Sequence, residues 1–277
     1  MPLKKQEFPF KLASWLPTCY TIYLIWLRHL LERLGQDRTL SIWRDVRQDY
    51  DDGFLLQILG TGWNIDMQAK GGEAEQKIAA LFSSYFPDPI QGVSKISARQ
   101  LVEEMPPVKQ IKQTFQSLSV WKSMTAYEAL HLKFDARALL AESLIRLHGK
   151  QGELIAYDVL REERRITGGG RTGSVAEFIS DFISEPETPN LFTAGLRMDW
   201  VQVSELEVVL NVKECEWARY FQERHPQVGY LMACSTDEVA YRAFNKDIRM
   251  QRTATLMEGG EVCDFRIYTV SDNHEGL

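Results

Sequence analysis

Residues 205–213, with the sequence ELEVVLNVK, decide how the C-terminal half of this chain folds. Four of the five apolar residues of this stretch fall at every second position, at Leu206, Val208, Leu210 and Val212. Because successive side chains of a strand point to opposite faces, this alternation predicts a strand with one face in the core. The preceding residues, 191–203, have the same period and predict its antiparallel partner.

A second hairpin is predicted at the C-terminal end. The stretches 248–257 and 262–270 are strand-like, and the turn between them, EGGE, is rich in the residue that tolerates positive φ. Helices are predicted between the two hairpins, over 214–224 and in a second segment that starts with a capping box at Ser235. Asn245 suits the left-handed position that closes this second helix.

The N-terminal half is predicted to be mostly helical. Apolar spacing or helix-favouring composition occurs over 15–34, Glu73 to Tyr85, Ala98 to Glu104 and Thr125 to His148. Gly149 is the predicted stop of the last of these helices. A glycine-rich connector, residues 164–174, then leads to a further helix that Ser174 and Glu177 cap.

These elements predict an α+β fold. The helical N-terminal half is followed by a C-terminal antiparallel sheet of two hairpins, with the intervening helices packed on it. The predicted division is a mostly helical region at 1–150 and an α+β domain at 151–277.

The composition limits the class of partner. Of the 277 residues, 44% are apolar and 25% are charged, which is typical of a chain that buries a full core. Acidic residues number 38 and basic ones 32, so the formal charge of −6 argues against nucleic acid as a partner. The most apolar N-terminal stretch, Cys19 to Leu27, is far shorter than the ~20 residues that cross a bilayer, so no membrane span is predicted.

The spacing of the cysteines indicates the cellular compartment. They are Cys19, Cys215, Cys234 and Cys263. This spacing matches neither a dense disulfide framework nor a CxxC zinc ribbon, which favours free thiols in a reducing environment. Charged residues follow the apolar N-terminal run where a signal cleavage site would stand. We therefore predict a cytoplasmic protein.

Cys234 is the predicted catalytic nucleophile. It directly precedes the predicted helix start at Ser235, where the positive end of the helix dipole lowers the pKa of a thiol. Asp237 is predicted to orient or deprotonate the attacking group. The alternatives are a cysteine that only fills the core and an aspartate that only stabilises the first helical turn.

The last predicted strand carries a second group of candidates. Alternation places Cys263 on one face and both Asp264 and Arg266 on the other. If the polar face lines a pocket, Arg266, or Arg249 on the neighbouring strand, is suited to a substrate carboxylate, and Arg252 adds positive charge. If the Cys263 face is the buried one, Asp264 and Arg266 form a solvated pair.

Cys215 lies at the start of the helix over 214–224, beside Trp217. If that helix folds back on the hairpin, Cys215 approaches Cys234 or Cys263. Three cysteines and an aspartate are also metal-ligand types, but their long, irregular spacing favours a site without a metal. No cofactor is predicted.

Four short motifs in the C-terminal segment carry a family resemblance. They are CEWARYF at 215–221, GYLMACSTD at 229–237, AFN at 243–245 and RTATLMEGGEVCDFRIY at 252–268. With these motifs the chain resembles the L-2-amino-thiazoline-4-carboxylic acid hydrolase-like family. The resemblance implies hydrolytic opening of a C–N bond in a cyclic amidine or thiazoline. The residues that fall on the motifs are Cys215, Cys234, Asp237, Asn245, Cys263 and Asp264.

The leading hypothesis is a hydrolase in which Cys234 attacks a small, carboxylated substrate, with Asp237 and Cys263 as further catalytic residues. The predicted substrate-binding residues are Cys215, Trp217, Asn245, Arg249, Asp264 and Arg266. The layout also resembles 4-vinyl reductase-type domains, so the alternative is a non-catalytic sensor or carrier of small molecules. The aromatic-rich helix over 15–34 is either core or the contact of a homodimer.

Overall fold

The computed structural model describes residues 7–11, 22, 25–49, 64–66, 119–168, 173–183 and 190–270. The helices predicted at Glu73 to Tyr85 and Ala98 to Glu104 lie outside these ranges, as does Cys19. The first predicted helix is present over residues 25–34, where Trp26 and Leu30 are fully buried within the chain. These two side chains therefore belong to the core.

The chain divides into two compact units. One comprises Met1–Phe8, Met124–Phe134 and Ala156–Leu277, and the other comprises Pro9–Ser123 and Asp135–Ile155. The predicted division into an N-terminal and a C-terminal domain stays a prediction. All the predicted site residues belong to the first unit.

Two helices and three short strands precede the long helix in the described part of the chain. The helices are α1, residues 25–34, and α2, Gln36–Asp49. The strands are β1, Glu7–Lys11, β2, Asn64–Asp66, and β3, Ser119–Thr125. They form a sheet in the order β1-β3-β2, in which β2 and β3 are antiparallel.

Helix α3, Ala126–Gly168, begins with a reciprocal cap. The Glu128 amide donates to the Thr125 hydroxyl at 3.3 Å, and the Thr125 amide donates to the Glu128 carboxylate at 2.8 Å. The predicted stop at Gly149 is confirmed, because the backbone leaves the helical conformation at this residue (φ 55°, ψ −132°), and a second helical segment then continues to Gly168. Glycine adopts this backbone conformation because it has no Cβ.

The C-terminal sheet has four antiparallel strands in the order β4-β5-β7-β6. They are β4, Leu196–Val203, β5, Glu207–Cys215, β6, Ile248–Gln251, and β7, Cys263–Thr269. Both predicted hairpins are present, and they join where β5 pairs with β7, for example through Val212 and Cys263. The predicted α+β fold with a C-terminal antiparallel sheet is confirmed.

One face of this sheet forms the core of the first unit. The alternating residues Val208, Leu210 and Val212 of β5 are buried on it, together with Cys263 and Ile267 of β7. The alternation of ELEVVLNVK has the predicted result for these three residues of β5, whereas Leu206 precedes the strand and is 68% exposed. Because Cys263 is on the core face, its neighbours in β7 lie on the other one.

Helix α4, Val175–Ile183, packs on the core face through Val175 and Phe178. It begins with the predicted capping box, which is confirmed. The Ser174 amide donates to the Glu177 carboxylate at 2.8 Å, and the Glu177 amide donates to the Ser174 hydroxyl at 3.1 Å.

Two of the predicted strands are too long. Residues Leu191–Gly195 form a short helix, α5, because the Asn190 side chain accepts the amides of its first turn. Strand β6 ends at Gln251, and Leu256–Glu258 form a 3-10 turn. The predicted glycine turn before β7 is confirmed, with Gly259 at φ 86°.

Helix α6, Glu216–Arg224, follows β5, and helix α7, Asp237–Phe244, precedes β6. A π-helical turn, Tyr230–Cys234, lies between them. Helix α6 contacts the first turns of α3 through edge-to-face rings, with 5.5 Å between the centroids of Tyr127 and Tyr220. The described residues contain no helix with the length and apolarity of a membrane span.

Candidate active site

The segment from Cys234 to Asp237 links the π-helical turn to α7. The Ser235 amide donates to the Tyr230 carbonyl at 2.9 Å, and the Ser235 hydroxyl donates to the Leu231 carbonyl at 2.7 Å. The predicted capping box at Ser235 is therefore wrong, because its hydroxyl is bonded back into the π-helical turn. The helix begins instead at Asp237, so Cys234 lies farther from the helix start than predicted.

Arg252 connects Cys234 to Asp237. Its Nη1 donates to Oδ2 of Asp237 at 2.7 Å, and its Nη2 donates to the carbonyl oxygen of Cys234 at 3.0 Å. The guanidinium lies 4.9 Å from the centroid of the Phe265 ring, and the side chain is only 5% exposed. A charge this buried is tolerated because it is paired and lies over an aromatic face. The sequence alone indicates Arg252 only as added positive charge.

In two of the three cysteines of this region, the sulfur accepts a hydrogen bond from a backbone amide. Cys215 is the N-cap of α6, and its sulfur accepts the Ala218 amide at 3.4 Å. The sulfur of Cys263 accepts the Leu256 amide at 3.1 Å. Within the described chain, no backbone N–H donates to the sulfur of Cys234. Its thiol is thus the one of these three that is not engaged in fixing a turn.

All three thiols have raised pKa values. Burial raises the pKa of Cys215 to about 12. Burial, and next the charge of Asp237, raise the pKa of Cys234, while Arg252 partly opposes the rise. Burial also raises the pKa of Cys263. The expectation of a lowered pKa at Cys234 is wrong, and this thiol is protonated at neutral pH.

The three thiols and the ion pair form one cluster. The pKa of Cys234 responds to the charges of Asp237, Arg252, Cys215 and Cys263. Cys215 packs against the core cluster that contains Cys263, so the structure groups the three predicted catalytic residues with Cys215. Among the residues that the structure describes, no three His, Cys, Asp or Glu side chains are grouped as metal ligands.

A second arginine reaches the same end of α7. Nε of Arg164, on α3, donates to the hydroxyl of the fully buried Thr236 at 3.3 Å. Burial raises the pKa of Asp237, although Arg164 and Arg252 both favour its ionised form. Burial, and next the charge of Asp237, raise the pKa of Tyr241, so its hydroxyl stays protonated.

The structure does not bring Asp264 and Arg266 to the cluster, because they lie on the opposite face of β7 from the buried Cys263. The Asp264 carboxylate accepts the amides of Thr253 and Ala254 at 2.9 and 2.6 Å. Against the effect of burial, its hydrogen bonds lower the pKa of Asp264. Arg266 is largely exposed and pairs with Glu207 at 2.5 Å.

Arg249 and Trp217 are engaged in local contacts. Nη1 of Arg249 donates to the carbonyls of Lys246 and Ile248 at 2.6 and 3.0 Å. The ring of Trp217 stacks on Phe192 of α5, with 5.4 Å between the centroids. Their predicted roles in substrate binding gain no support from these contacts.

Asn245 closes α7 in an extended conformation, with φ −143°, so the predicted left-handed conformation is wrong. Its Nδ2 donates to the Gly173 carbonyl at 2.8 Å, and its Oδ1 accepts the Asp247 amide at 2.9 Å. The amide thus joins the end of α7 to the segment before α4.

Residues 123–267 match the family model described as L-2-amino-thiazoline-4-carboxylic acid hydrolase. The chain belongs to this family. The match confirms the resemblance found in the sequence, and it extends from β3 to β7. Comparison with curated proteins and comparison with solved structures each give no match. The whole cluster around Asp237, Arg164 included, lies in the part that matches the hydrolase family.

Proposed function

We propose that this chain is a hydrolase that opens the ring of a small, carboxylated cyclic amidine, such as a 2-amino-thiazoline-4-carboxylate. One observation carries the proposal: a free thiol, Cys234, lies beside the buried ion pair of Asp237 and Arg252 within the family match. The family description supplies the substrate class. The cluster supplies a nucleophile and a neighbouring base.

The raised pKa of Cys234 decides how the nucleophile is activated. A thiol that is protonated at neutral pH attacks efficiently only when a base removes its proton. Asp237 acts on the pKa of Cys234, and burial raises the pKa of Asp237 itself, which makes its carboxylate a stronger base. In our proposal Asp237 takes the thiol proton, while Arg252 fixes the position of the carboxylate.

The proposed reaction has two stages. The sulfur of Cys234 bonds to the C=N carbon as its proton passes through Asp237 to the ring nitrogen. The exocyclic amino group gives that nitrogen a second proton and becomes a C=NH group, so the nitrogen leaves as an amine and the C–N bond opens. The carbon then remains bonded to two sulfurs and the imine nitrogen. Water adds to this carbon, the carbonyl group forms, and Cys234 leaves with a proton. The free thiol is regenerated, and one water is consumed.

The test is turnover of 2-amino-thiazoline-4-carboxylate by the purified full chain. Cys234→Ala should lower kcat by at least about 10³-fold, and Asp237→Asn by about 10²- to 10⁴-fold. Cys19→Ser is the control for loss of a thiol and should keep full activity. Full activity of a folded Cys234→Ala variant would exclude Cys234 as nucleophile.

The products identify the bond that opens. Opening of the ring C–N bond releases an amine, whereas opening of the ring C–S bond releases a thiol. A colorimetric thiol assay and mass spectrometry of the product separate the two outcomes. Release of a thiol in step with turnover would contradict the proposed C–N cleavage but not the attack by Cys234.

One observation favours a second function, binding without catalysis, as in 4-vinyl reductase-type domains. All three thiols of the cluster are protonated, and two of them accept backbone amides. A sensor or carrier of this kind would bind the same carboxylated amidine without converting it. Saturable heat of binding in titration calorimetry, with no product after prolonged incubation, would favour this function.

The predicted compartment and partners of the protein are part of the same proposal. The described cysteines are free, as a reducing, cytoplasmic compartment requires. We propose no nucleic-acid partner, because the chain carries a net charge of −6. A homodimer, one of the two alternatives for the helix over 15–34, is tested by light scattering on the purified chain.

A further inference from the structure

Two arginines converge on a single aspartate at the start of α7. Arg252 uses Nη1 for Asp237 and Nη2 for the carbonyl of Cys234. Arg164 approaches from α3 and donates from Nε to Thr236, the residue before Asp237. Both guanidinium groups act on the charge of Asp237, and both act on Tyr241. The two cations therefore share one small region.

The charges in this region do not balance. Within the described residues, two guanidinium groups act on the charge of Asp237, so one of the two positive charges has no carboxylate of its own there. Arg252 is not available to a ligand, because its side chain is only 5% exposed and both of its Nη atoms already donate hydrogen bonds. The positive charge without a carboxylate partner is therefore that of Arg164.

Arg164 keeps the donors that recognise a carboxylate. Its single hydrogen bond within the described chain uses Nε, which leaves both Nη groups for a ligand. The residue is half-buried, so the guanidinium is accessible and partly shielded from water. A planar fork of this kind binds a carboxylate through two parallel hydrogen bonds.

We propose that Arg164 binds the carboxylate of the substrate, with Arg252 and Thr236 as the positioning residues that hold the fork in place. The inference rests on the proposed ring opening at Cys234. A carboxylate on Arg164 lies at the same end of α7 as this thiol. In a 2-amino-thiazoline-4-carboxylate, the carboxylate-bearing carbon and the electrophilic C=N carbon flank one ring nitrogen. Binding at Arg164 therefore orients the reacting carbon and selects for acidic amidines.

The test compares two substrates on matched variants of the full chain. The substrates are 2-amino-thiazoline-4-carboxylate and its carboxamide, which has nearly the same shape but lacks the negative charge of the carboxylate. Arg164→Gln should raise KM for the carboxylate by about 10- to 100-fold, as expected for the loss of charged hydrogen bonds. Its kcat should change little, and its KM for the carboxamide should stay within about twofold of the wild-type value.

Arg165→Gln is the matched control, because this exposed arginine follows Arg164 on the same helix. It should leave KM for both substrates unchanged, and both variants should unfold at the wild-type temperature. Equal losses on carboxylate and carboxamide, or no loss on either, would overturn the proposal. Arg164→Lys should restore part of the binding, because it returns the charge but not the fork.

Titration calorimetry keeps this inference separate from the proposed reaction. If the wild-type chain converts neither compound, the ring-opening proposal fails, and binding is then measured directly with the same two compounds. Tight binding of the carboxylate that Arg164→Gln weakens by about 10-fold or more would still support the site. Absence of carboxylate binding to the wild type would refute it.

Discussion

At the scale of the residue, Cys234 is a thiol whose surroundings oppose ionisation. Burial and the charge of Asp237 both raise its pKa, so a thiolate forms only when a base acts in concert with attack. Hydrolysis can proceed on such a thiol because the proton moves during the reaction rather than before it. The free protein should therefore be inert toward reagents that need a preformed thiolate.

This inertness is the first prediction. At pH 7.5 Cys234 should react with iodoacetamide more slowly than free cysteine, and its rate should rise about tenfold per pH unit up to the limit of folding. Peptide mass spectrometry after timed quenching gives the rate for each cysteine. A rate that levels off near pH 7 would show a lowered pKa and would contradict the structure.

Asp264 carries a prediction of pH dependence. Its hydrogen bonds hold its folded-state pKa below the ordinary value, so its contribution to stability is present above the unfolded-state pKa and disappears as pH falls through the folded value. At pH 7, Asp264→Asn should lower the free energy of unfolding by about 2 kcal/mol. Urea unfolding should show this gap closing as the pH falls from 5 to 2. A gap independent of pH would exclude a role for the carboxylate charge.

The sequence predicts some of the site and not the rest for a physical reason. Cys234 and Asp237 are three residues apart, so their proximity follows from local chain geometry. Arg252 reaches Asp237 across 15 residues and Arg164 reaches Thr236 across 72, so both contacts depend on how α3, α7 and β6 pack. No local pattern encodes that packing.

At the scale of the element, two Ser-x-x-Glu segments show when this motif predicts a helix cap correctly and when it does not. Ser174 and Glu177 form the capping box that their spacing predicts. Ser235 has the same spacing to Glu238, yet its hydroxyl bonds to Leu231 because a π-helical turn precedes it. The motif encodes a cap only where the preceding residues leave the hydroxyl available.

Two glycines of α3 give a prediction at this scale. Gly149 has φ 55° and open space where an alanine Cβ would lie, so Gly149→Ala should cost only the backbone strain, about 1 to 3 kcal/mol. At Gly152 a Cβ would lie 2.0 Å from the Leu144 carbonyl oxygen, so the backbone must move. Gly152→Ala should cost about 3 kcal/mol or more. Chemical denaturation of both variants checks the order, and the reverse order would contradict the kinked helix.

At the scale of the whole molecule, the compact unit that holds the site is built from residues on both sides of position 150. The sequence predicts a C-terminal α+β domain at 151–277. The compact unit that holds the site also takes in Met124–Phe134, which precede that boundary. A helical stretch gives no sign in its own sequence of which sheet or helix it packs against.

This difference yields the last prediction, which concerns fragments of the chain. In the first unit, Tyr127 and Phe134 lie edge-to-face against Tyr220 and Phe221 of α6, both fully buried. Fragment 151–277 loses these partners and exposes both rings, at a cost of about 3 kcal/mol for each large side chain. We expect it to lack a cooperative thermal transition in near-ultraviolet circular dichroism, whereas fragment 119–277 should show one.

Phe134→Ala in the full chain tests the same contact and should lower the free energy of unfolding by about 3 to 5 kcal/mol. Cooperative unfolding of 151–277 would instead establish the division at residue 150, since α6 would then be stable without the first turns of α3.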